Sequence, residues 1–507
     1  MELNRRVCDR ARRSRDARFD GKFFIAVTST KIYCRPICPA RSPKDENIRY
    51  YPTAAAAQGA GFRPCLRCRP EAAPGTPAWF GTSSVVSRGL RLITDGALDR
   101  DGVDALADRL GVTARHLRRL FLQHLGATPI DVALTRRVHF AKKLLDETQL
   151  PVSQVAFAAG FGSLRRFNGE MRKIYSRTPT ALRKLARKQS VEAGRYRFRL
   201  AYRPPYDWAQ VIGFLAARAT PGVERVDADR YTRTIAIDGK CGSIAVTPAT
   251  DTAVLILDVD LDDSRSLLTI VERVRRIFDV AADPAVIADQ LSGDPLLKRT
   301  LATHPGIRTP GAWDPFELTV RAILGQQISV KAATTIAGRV AARWGTPIEN
   351  PSGLTRLFPT ADQLADAPLE EAGIIAARAG TLRALARAVR TGTLHFDSPS
   401  TLIELQAIPG IGEWTAQYVA MRALNEPDAF LTGDLVLRRM AGDCSARELD
   451  RMAEAWRPWR GYAVMLLWQA ARDLDQQQRR TRHEKIDPGL RGVGRRRGSG
   501  LVTAIAS

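Results

Sequence analysis

The stretch that most restricts this chain runs from Leu405 to Asp434, LQAIPGIGEWTAQYVAMRALNEPDAFLTGD. An apolar run leads into Pro409-Gly410-Ile411-Gly412, a reversal tight enough to require glycine. The spacing that follows predicts a helix from Glu413, with Trp414, Tyr418 and Met421 about a turn apart on one face. A loop with one carboxylate, Asp434, comes next, just ahead of a further apolar and basic helix. Two glycine amides at a helix start suit a backbone phosphate, and a carboxylate beside aromatic side chains suits a cation. Holding a phosphate and making a sugar cation next to it is what removal of a DNA base requires. Pro-Gly-Ile-Gly alone is equally an ordinary loop between helices; the hairpin, the aromatic helix and the carboxylate carry the reading together.

With those residues in view, the stretch resembles the helix-hairpin-helix DNA glycosylase superfamily, and within it the AlkA branch that removes alkylated bases. The resemblance implies DNA contact at Gly410 and Gly412 and makes Asp434 the catalytic aspartate. It would stabilise an oxocarbenium-like transition state and orient the attacking water. The family's second acidic residue, just before this one, is replaced by Gly433. The flipped base would enter a pocket of Trp414, Tyr418 and Trp468, whose faces attract a cationic base by about 0.5–2 kcal/mol each. Taken singly, each aromatic is more often a core residue; the match of all three favours the pocket. In ILGQQIS the wedge that fills the gap left by the base falls on Gln327, where a leucine is usual, so its apolar stacking is weaker. These glutamines are equally a polar patch at a helix N-terminus. Relatives that also nick the strand have lysine where Trp414 stands, so base removal without lyase action is expected. The four-cysteine iron–sulfur loop of some relatives is absent.

The chain's 507 residues suffice for three or four domains, and a hydrophobic content of 45% supports real cores. No run of some 18 apolar residues predicts a membrane span, and the basic N-terminus lacks the apolar core of a secretory signal. A cytoplasmic, nucleoid-associated protein is expected. The net charge of +24 is unevenly placed: residues 1–190 hold 36 Lys/Arg against 16 Asp/Glu, and residues 479–507 hold 8 against 2. The front and the tail therefore suit a nucleic-acid backbone, whereas the near-neutral middle must hold DNA by local geometry.

Seven cysteines and no export signal favour a metal over disulfides. Cys34-x3-Cys38 and Cys65-x2-Cys68 bracket 26 residues and can close a tetrahedral Zn²⁺ site. From spacing alone a purely structural zinc is the usual outcome. KFFIAVTSTKIYC alternates like a strand or hairpin that delivers Cys34. FFIAVTSTKIYCRPICPAR with AGFRPCLRCRP then resembles the metal module of the Ada family. That resemblance implies that Cys34 accepts a methyl group from a DNA methylphosphotriester, and that Thr30, Arg41 and Arg63 touch DNA. Pro39 stands where a basic residue is common. Methylating one of four metal-bound thiolates changes a doubly negative site to a singly negative one, an electrostatic switch on DNA affinity.

Two basic helix-turn-helix patterns follow. VDALADRLGVTARHLRRLFLQHLG turns at Gly111 before Arg115, Arg118 and Arg119; PVSQVAFAAGFGSLRRFNGEMRKIYSRTP turns at Gly160-Phe161-Gly162 before Arg165 and Arg166. One such unit is a weak signal. Two in tandem, around a long helix at Thr135–Glu147, resemble the AraC-type DNA-binding domain, with each second helix in a major groove. The Pro-Cys-His-Arg motif of the O6-methylguanine transferase that often follows is absent. Instead, RTIAIDG, GSIAVTPA and AVLILDVD predict strands before an amphipathic helix, a segment that resembles the AlkA N-terminal domain and shows no chemistry of its own.

The expected fold is multidomain α+β. It comprises a zinc module (1–72), an all-α tandem helix-turn-helix domain (84–188), an α+β AlkA N-terminal-like domain (195–283), an all-α helix-hairpin-helix glycosylase domain (284–478) and a basic disordered tail (479–507), with a linker at Glu71–Ser84. The expected function is a methylation-activated transcriptional regulator fused to a DNA-3-methyladenine glycosylase, with stoichiometric methyl transfer at Cys34. Its partners would be alkylated double-stranded DNA, promoter DNA and RNA polymerase. Two alternatives stay open: a regulator whose rear half binds damage without excision, and a zinc-dependent DNA-binding protein without methyl transfer.

Overall fold

The structure is a computed structural model that describes residues 3–74, 84–185 and 194–486. Helix α1 (Arg5–Ser14) opens the chain, with the Asn4 side chain accepting from the Val7 amide at its start. A four-stranded sheet follows, built from β1 (Phe24–Val27), β2 (Ile32–Cys34), β3 (Ile48–Tyr51) and β4 (Arg63–Pro64), with α2 (Ala54–Gly59) between the last two. The order is β3-β1-β2-β4. The hairpin expected in KFFIAVTSTKIYC is β1–β2. Strand β4 pairs with β2 in parallel, Tyr33 opposite Pro64, so the register itself brings Cys65 beside Cys34.

The tandem helix-turn-helix region contains α3 (Val103–Arg109), α4 (Ala114–Leu125), α5 (Pro129–Glu147), α6 (Val152–Ala158) and α7 (Leu164–Tyr175). Gly111 (φ +68°) and Gly160 (φ +81°) make the two turns in left-handed backbone, where a side chain is strained. The Thr113 and Ser163 hydroxyls cap the second helix of each unit. Helix α5 starts six residues before the expected position, at a capping box of Thr128 and Asp131. It is buried along much of its length because three partners cover it. Its His139 Nε2 lies 2.9 Å from the Tyr33 hydroxyl of the metal module. Phe140 packs on Phe198 (ring centroids 6.0 Å apart), and Lys143 Nζ donates to the Arg199 carbonyl at 2.6 Å.

Those last two partners lie on the first strand of a five-stranded antiparallel sheet, β5 (Arg195–Ala201), β6 (Glu224–Asp227), β7 (Arg230–Ile237), β8 (Lys240–Pro248) and β9 (Val254–Asp260), in the order β5-β9-β8-β7-β6. Helices α8 (Trp208–Ala216) and α9 (Leu267–Ile277) accompany the sheet. One apolar core runs unbroken from α5 and α7 through this sheet to α9.

The rear half is helical: α10 (Pro315–Leu324), α11 (Val330–Trp344), α12 (Ala376–Arg390), α13 (Thr401–Gln406), α14 (Glu413–Arg422), α15 (Leu435–Met440) and α16 (Arg460–Ile486) carry the site. Helix α14 sits between two cores, sending Ala416 and Val419 into one and Tyr418 and Met421 into the other. A buried ion network joins the rear half to the sheet. Arg233 Nη2 meets Glu317 Oε2 at 2.7 Å, and Arg321 Nη1 meets Glu224 Oε2 at 2.9 Å. Burial pushes the Glu224 carboxyl up, but Arg321 and Arg233 outweigh it and hold it at about 2.

Two expectations are corrected. Residues 479–486, expected in a disordered tail, continue helix α16, and residues 487–507 lie outside the described residues. Glu71, expected to open a linker, is instead a buried carboxylate 3.6 Å from Lys142 Nζ and 3.3 Å from Arg69 Nε. Burial between two positive side chains and a metal module overrides the loop-like composition around it; residues 75–83 lie outside the described residues. The ends of two expected segments, 186–188 and 1–2, lie outside them too. Among the described residues no helix is long and apolar enough to cross a membrane.

Just after α9, Asp279 accepts from the Tyr462 hydroxyl (2.8 Å) and the Thr309 amide (3.2 Å). Burial pushes its carboxyl from 3.8 up to about 6. The folded chain thus keeps a proton that the unfolded chain releases, so this contribution to stability is full at low pH and is lost as pH rises through about 6. Asp279→Asn cannot ionise. In urea unfolding it should gain on the wild type by up to about 2 kcal/mol between pH 4.5 and 7.5, and a constant difference across that range would contradict the assignment.

Candidate functional site

Two sites emerge, one in each half. In the front half, Cys34 ends β2 and Cys65 follows β4, while a turn closed by Cys38 N–H to the Arg35 carbonyl (3.1 Å) brings the second cysteine back. The four Sγ atoms lie within 4.8 Å of one another. Tetrahedral bonds of about 2.3 Å need sulfurs about 3.8 Å apart, so the soft four-thiol set fits Zn²⁺. Cys65 and Cys68 are buried, whereas Cys34 and Cys38 are half-buried on the open side. Arg35, which composition gave no reason to single out, donates its amide to Cys68 Sγ (3.4 Å) and its Nη1 to the Cys68 carbonyl (3.1 Å). Its Nε meets Asp20 at 2.8 Å. Thr30 is exposed at the β1–β2 turn, and Arg63 pairs with the neighbouring Lys31 carbonyl at 2.8 Å, so these two share an edge. Arg41 is exposed in the loop after Cys38.

Behind this module, Arg115, Arg118 and Arg119 are exposed on α4, and Arg165 and Arg166 on α7. The opposite faces, Leu117, Phe121 and Leu125 of α4 and Phe167 and Met171 of α7, are buried. Both second helices therefore carry their arginines on the exposed face.

In the rear half, Asp434 is the N-cap of α15 and is 9% exposed. Its Oδ1 accepts from the Val436 and Leu437 amides, both at 3.0 Å. Trp414 Nε1 donates to Oδ2 at 3.1 Å, and Trp468 Nε1 lies 3.4 Å from Oδ1. Two indoles and a helix start thus fix one carboxylate. Tyr418 stacks on Trp414 (5.2 Å, 7°) and tilts against Trp468 (6.3 Å, 52°). The structure brings all three predicted aromatics to the carboxylate and adds Phe214 of α8, stacked on Trp468 (6.4 Å, 20°). Phe214 comes from the segment expected to show no chemistry of its own, and it supports the cluster by packing alone; the lone Phe in an apolar helix gave no periodic signal to find it.

The hairpin depends on one glycine more than the other. Gly410 has φ +90°, and a Cβ there would meet Thr381 Oγ1 at 2.2 Å; a Cβ on Gly412 would meet nothing within 4 Å. Gly412 is instead the extended N-cap of α14 (φ −89°, ψ 178°), so the expectation that both glycines make the turn is corrected. Gln327 is exposed, with φ +59°, at the apex between α10 and α11. Its neighbour Gln326 ties that apex to the hairpin through Nε2, which reaches the Gly410 carbonyl (3.0 Å) and Thr415 Oγ1 (3.1 Å). Arg378 Nη2 donates to the Gln326 carbonyl at 2.6 Å. Neither Gln326 nor Arg378 was singled out from sequence.

With this geometry in place, the chain matches four family descriptions in succession. They are the metal binding domain of Ada over residues 7–71, a helix-turn-helix domain over 106–185, the AlkA N-terminal domain over 197–314 and the HhH-GPD superfamily base excision DNA repair protein over 320–460. Over 474 residues it is 44% identical to a Mycobacterium tuberculosis protein called a probable bifunctional transcriptional activator/DNA repair enzyme AlkA, a match that covers 91% of this chain and 95% of that one. The chain belongs to this family. It is a regulator joined to a DNA glycosylase, it binds DNA, and its four cysteines form a zinc site. The Escherichia coli DNA-3-methyladenine glycosylase 2 is 34% identical over 54% of this AlkA-type chain and 96% of its own length. The E. coli Ada protein is 40% identical over 23% of this chain and 31% of its own.

The two glycines can be separated by experiment. Gly410→Ala should weaken binding to a DNA duplex by about tenfold, because the left-handed backbone and Thr381 both oppose it. Gly412→Ala should cost far less; fluorescence anisotropy showing equal losses would contradict the hairpin geometry.

Proposed function

We propose that this AlkA-type fusion excises alkylated bases, 3-methyladenine among them, from double-stranded DNA without nicking the strand. The observation that carries the reading is the Asp434 carboxylate, anchored by two indole N–H groups and a helix start inside an aromatic pocket. In this reading Gly410 and Gly412 hold a phosphate, Gln327 fills the space left by the flipped base, and Trp414, Tyr418 and Trp468 wall the pocket. As the glycosidic bond breaks, positive charge builds on the sugar, and Asp434 stabilises it without reorganising. Water adds to the sugar, and no lysine stands at Trp414 to form a Schiff base. Asp434→Asn should abolish release of 3-methyladenine, a loss of at least a hundredfold, while DNA binding persists. Persistent release would reject the role of Asp434; loss of release from wild type would favour a half that only binds damage.

For the front half we propose stoichiometric methyl transfer. Zinc, when bound, keeps the four thiols deprotonated at neutral pH. Cys34, on the open side of the cluster, attacks the methyl carbon of a methylphosphotriester; the carbon–oxygen bond breaks, its electron pair stays on the phosphate oxygen, and a thioether forms. Thr30, Arg41 and Arg63 hold the DNA backbone. Loss of one negative charge then strengthens promoter binding through Arg115, Arg118, Arg119, Arg165 and Arg166, and RNA polymerase is the partner of that state, in the cytoplasm at the nucleoid. The working units are residues 1–72, 84–188, 195–283 and 284–478. Mass spectrometry after incubation with methylated DNA should find a gain of one methyl group on Cys34, and none after Cys34→Ala. An unmodified Cys34 would leave a zinc module that only binds DNA.

A further inference from the structure

The pocket wall holds two guanidinium groups that, among the described residues, form no ion pair; the charge of Glu224 acts on Arg422 only from beyond ion-pair distance. Arg422, the last residue of α14, is 4% exposed. Its Nη1 donates to the Tyr418 hydroxyl at 2.7 Å, its Nε to the Pro310 carbonyl, and its Nη2 to the Gly311 carbonyl at 3.0 Å. The same guanidinium lies 4.6 Å from the Phe214 ring centroid and 5.6 Å from that of Tyr418. Arg218 lies 3.8 Å from the Phe214 centroid. Neighbouring Arg321 is neutralised by Glu224 and Glu317, yet among the described residues neither Arg218 nor Arg422 forms an ion pair. The aromatic walls are therefore already engaged by fixed cations, which offsets their attraction for a cationic base.

We propose that Arg422, acting through the Tyr418 hydroxyl, is a positioning residue that makes the base side of the pocket positive, opposite the negative Asp434 on the sugar side. The inference rests on the glycosylase reading of that site. When the C1′–N bond breaks, its electron pair passes to the base nitrogen. A cationic base leaves neutral and a neutral base leaves as an anion; in both, positive charge passes to the sugar. Fixed positive charge behind the base and negative charge beside the sugar favour that shift, and in a pocket shielded from water the effect is large. Water then adds to C1′ and loses its proton to solvent, and an anionic base takes its proton from solvent. A base that departs as an anion gains most, because negative charge appears directly against the wall. Tyr418 suits the transmission: its oxygen accepts from Arg422, and its own proton has no acceptor among the described residues. Burial pushes the Tyr418 phenol up, but the charges of Arg422, Arg218 and Arg321 outweigh it and leave it below the ordinary tyrosine value.

The test is single-turnover base release by the full chain from duplexes carrying one 7-methylguanine, which leaves neutral, or one hypoxanthine, which leaves as an anion. The ratio of the hypoxanthine rate to the 7-methylguanine rate should fall at least fivefold in Tyr418→Phe, which removes only the hydroxyl, and in Arg422→Met. The double variant should fall no further, and Arg422→Lys should recover part of the ratio. A smaller change in Tyr418→Phe overturns the proposal, as does an equal loss on both bases in Arg422→Met, the result of a merely structural role. Wild type that releases 7-methylguanine but no hypoxanthine also overturns it. Release of neither base by wild type is a different failure, that of the glycosylase reading itself.

Discussion

One carboxylate serves both the fold and the chemistry of the rear half. Asp434 starts a six-residue helix by accepting from two of its amides, which would otherwise lack partners. The same two oxygens meet the indoles of Trp414 and Trp468, which arrive on two other helices. Three elements therefore agree on the position of one negative charge. A side chain held that way needs no rearrangement when a sugar cation forms beside it. The aromatic stack, the Gly410 turn and the Gln326 tie then all have a fixed point from which their distances follow.

The front half meets this frame through an apolar core more than through charge. Ion pairs do cross the joint: Lys22 with Asp283 at 2.5 Å, Arg91 with Glu426 at 3.6 Å, and Arg109 with Asp397. Exposed pairs contribute about 0–1 kcal/mol each, so Arg109 and Asp397 add little. The core that runs from Phe140 through Phe198 to Ile270 and Val274 is apolar and continuous. It holds α5 against the sheet, and α5 in turn carries the Lys142 and Asp146 side chains that meet Glu71 and Arg69, next to Cys68 in the chain. The metal module and the sheet that abuts the glycosylase thus share one helix.

Much of the site was legible in order of residues. Cysteine pairs at short spacing can only close a small site, so Cys34, Cys38, Cys65 and Cys68 identify themselves. Helical spacing put Trp414 and Tyr418 on one face, and the glycine turns at Gly111 and Gly160 marked where basic helices begin. What stayed hidden was of one kind. Phe214, Arg218 and Arg35 act through contacts with residues far along the chain, and an isolated side chain in an apolar or loop stretch has no pattern to betray such a contact. Glu71 misled for the same reason: Pro and Gly around it read as a linker until buried cations claimed it.

Local rules determined the elements, the thiol set and the presence of a carboxylate after an aromatic helix, because periodicity, capping and ligand spacing act over a few residues. Which glycine bears the strain was decided by Thr381, a neighbour only in three dimensions. The charge on the pocket wall was likewise decided by packing, which buried Arg422 beside Tyr418 and, among the described residues, gave it no ion pair. Burial and the pairing of charges depend on which distant surfaces exclude water together, and no short stretch of sequence contains that information.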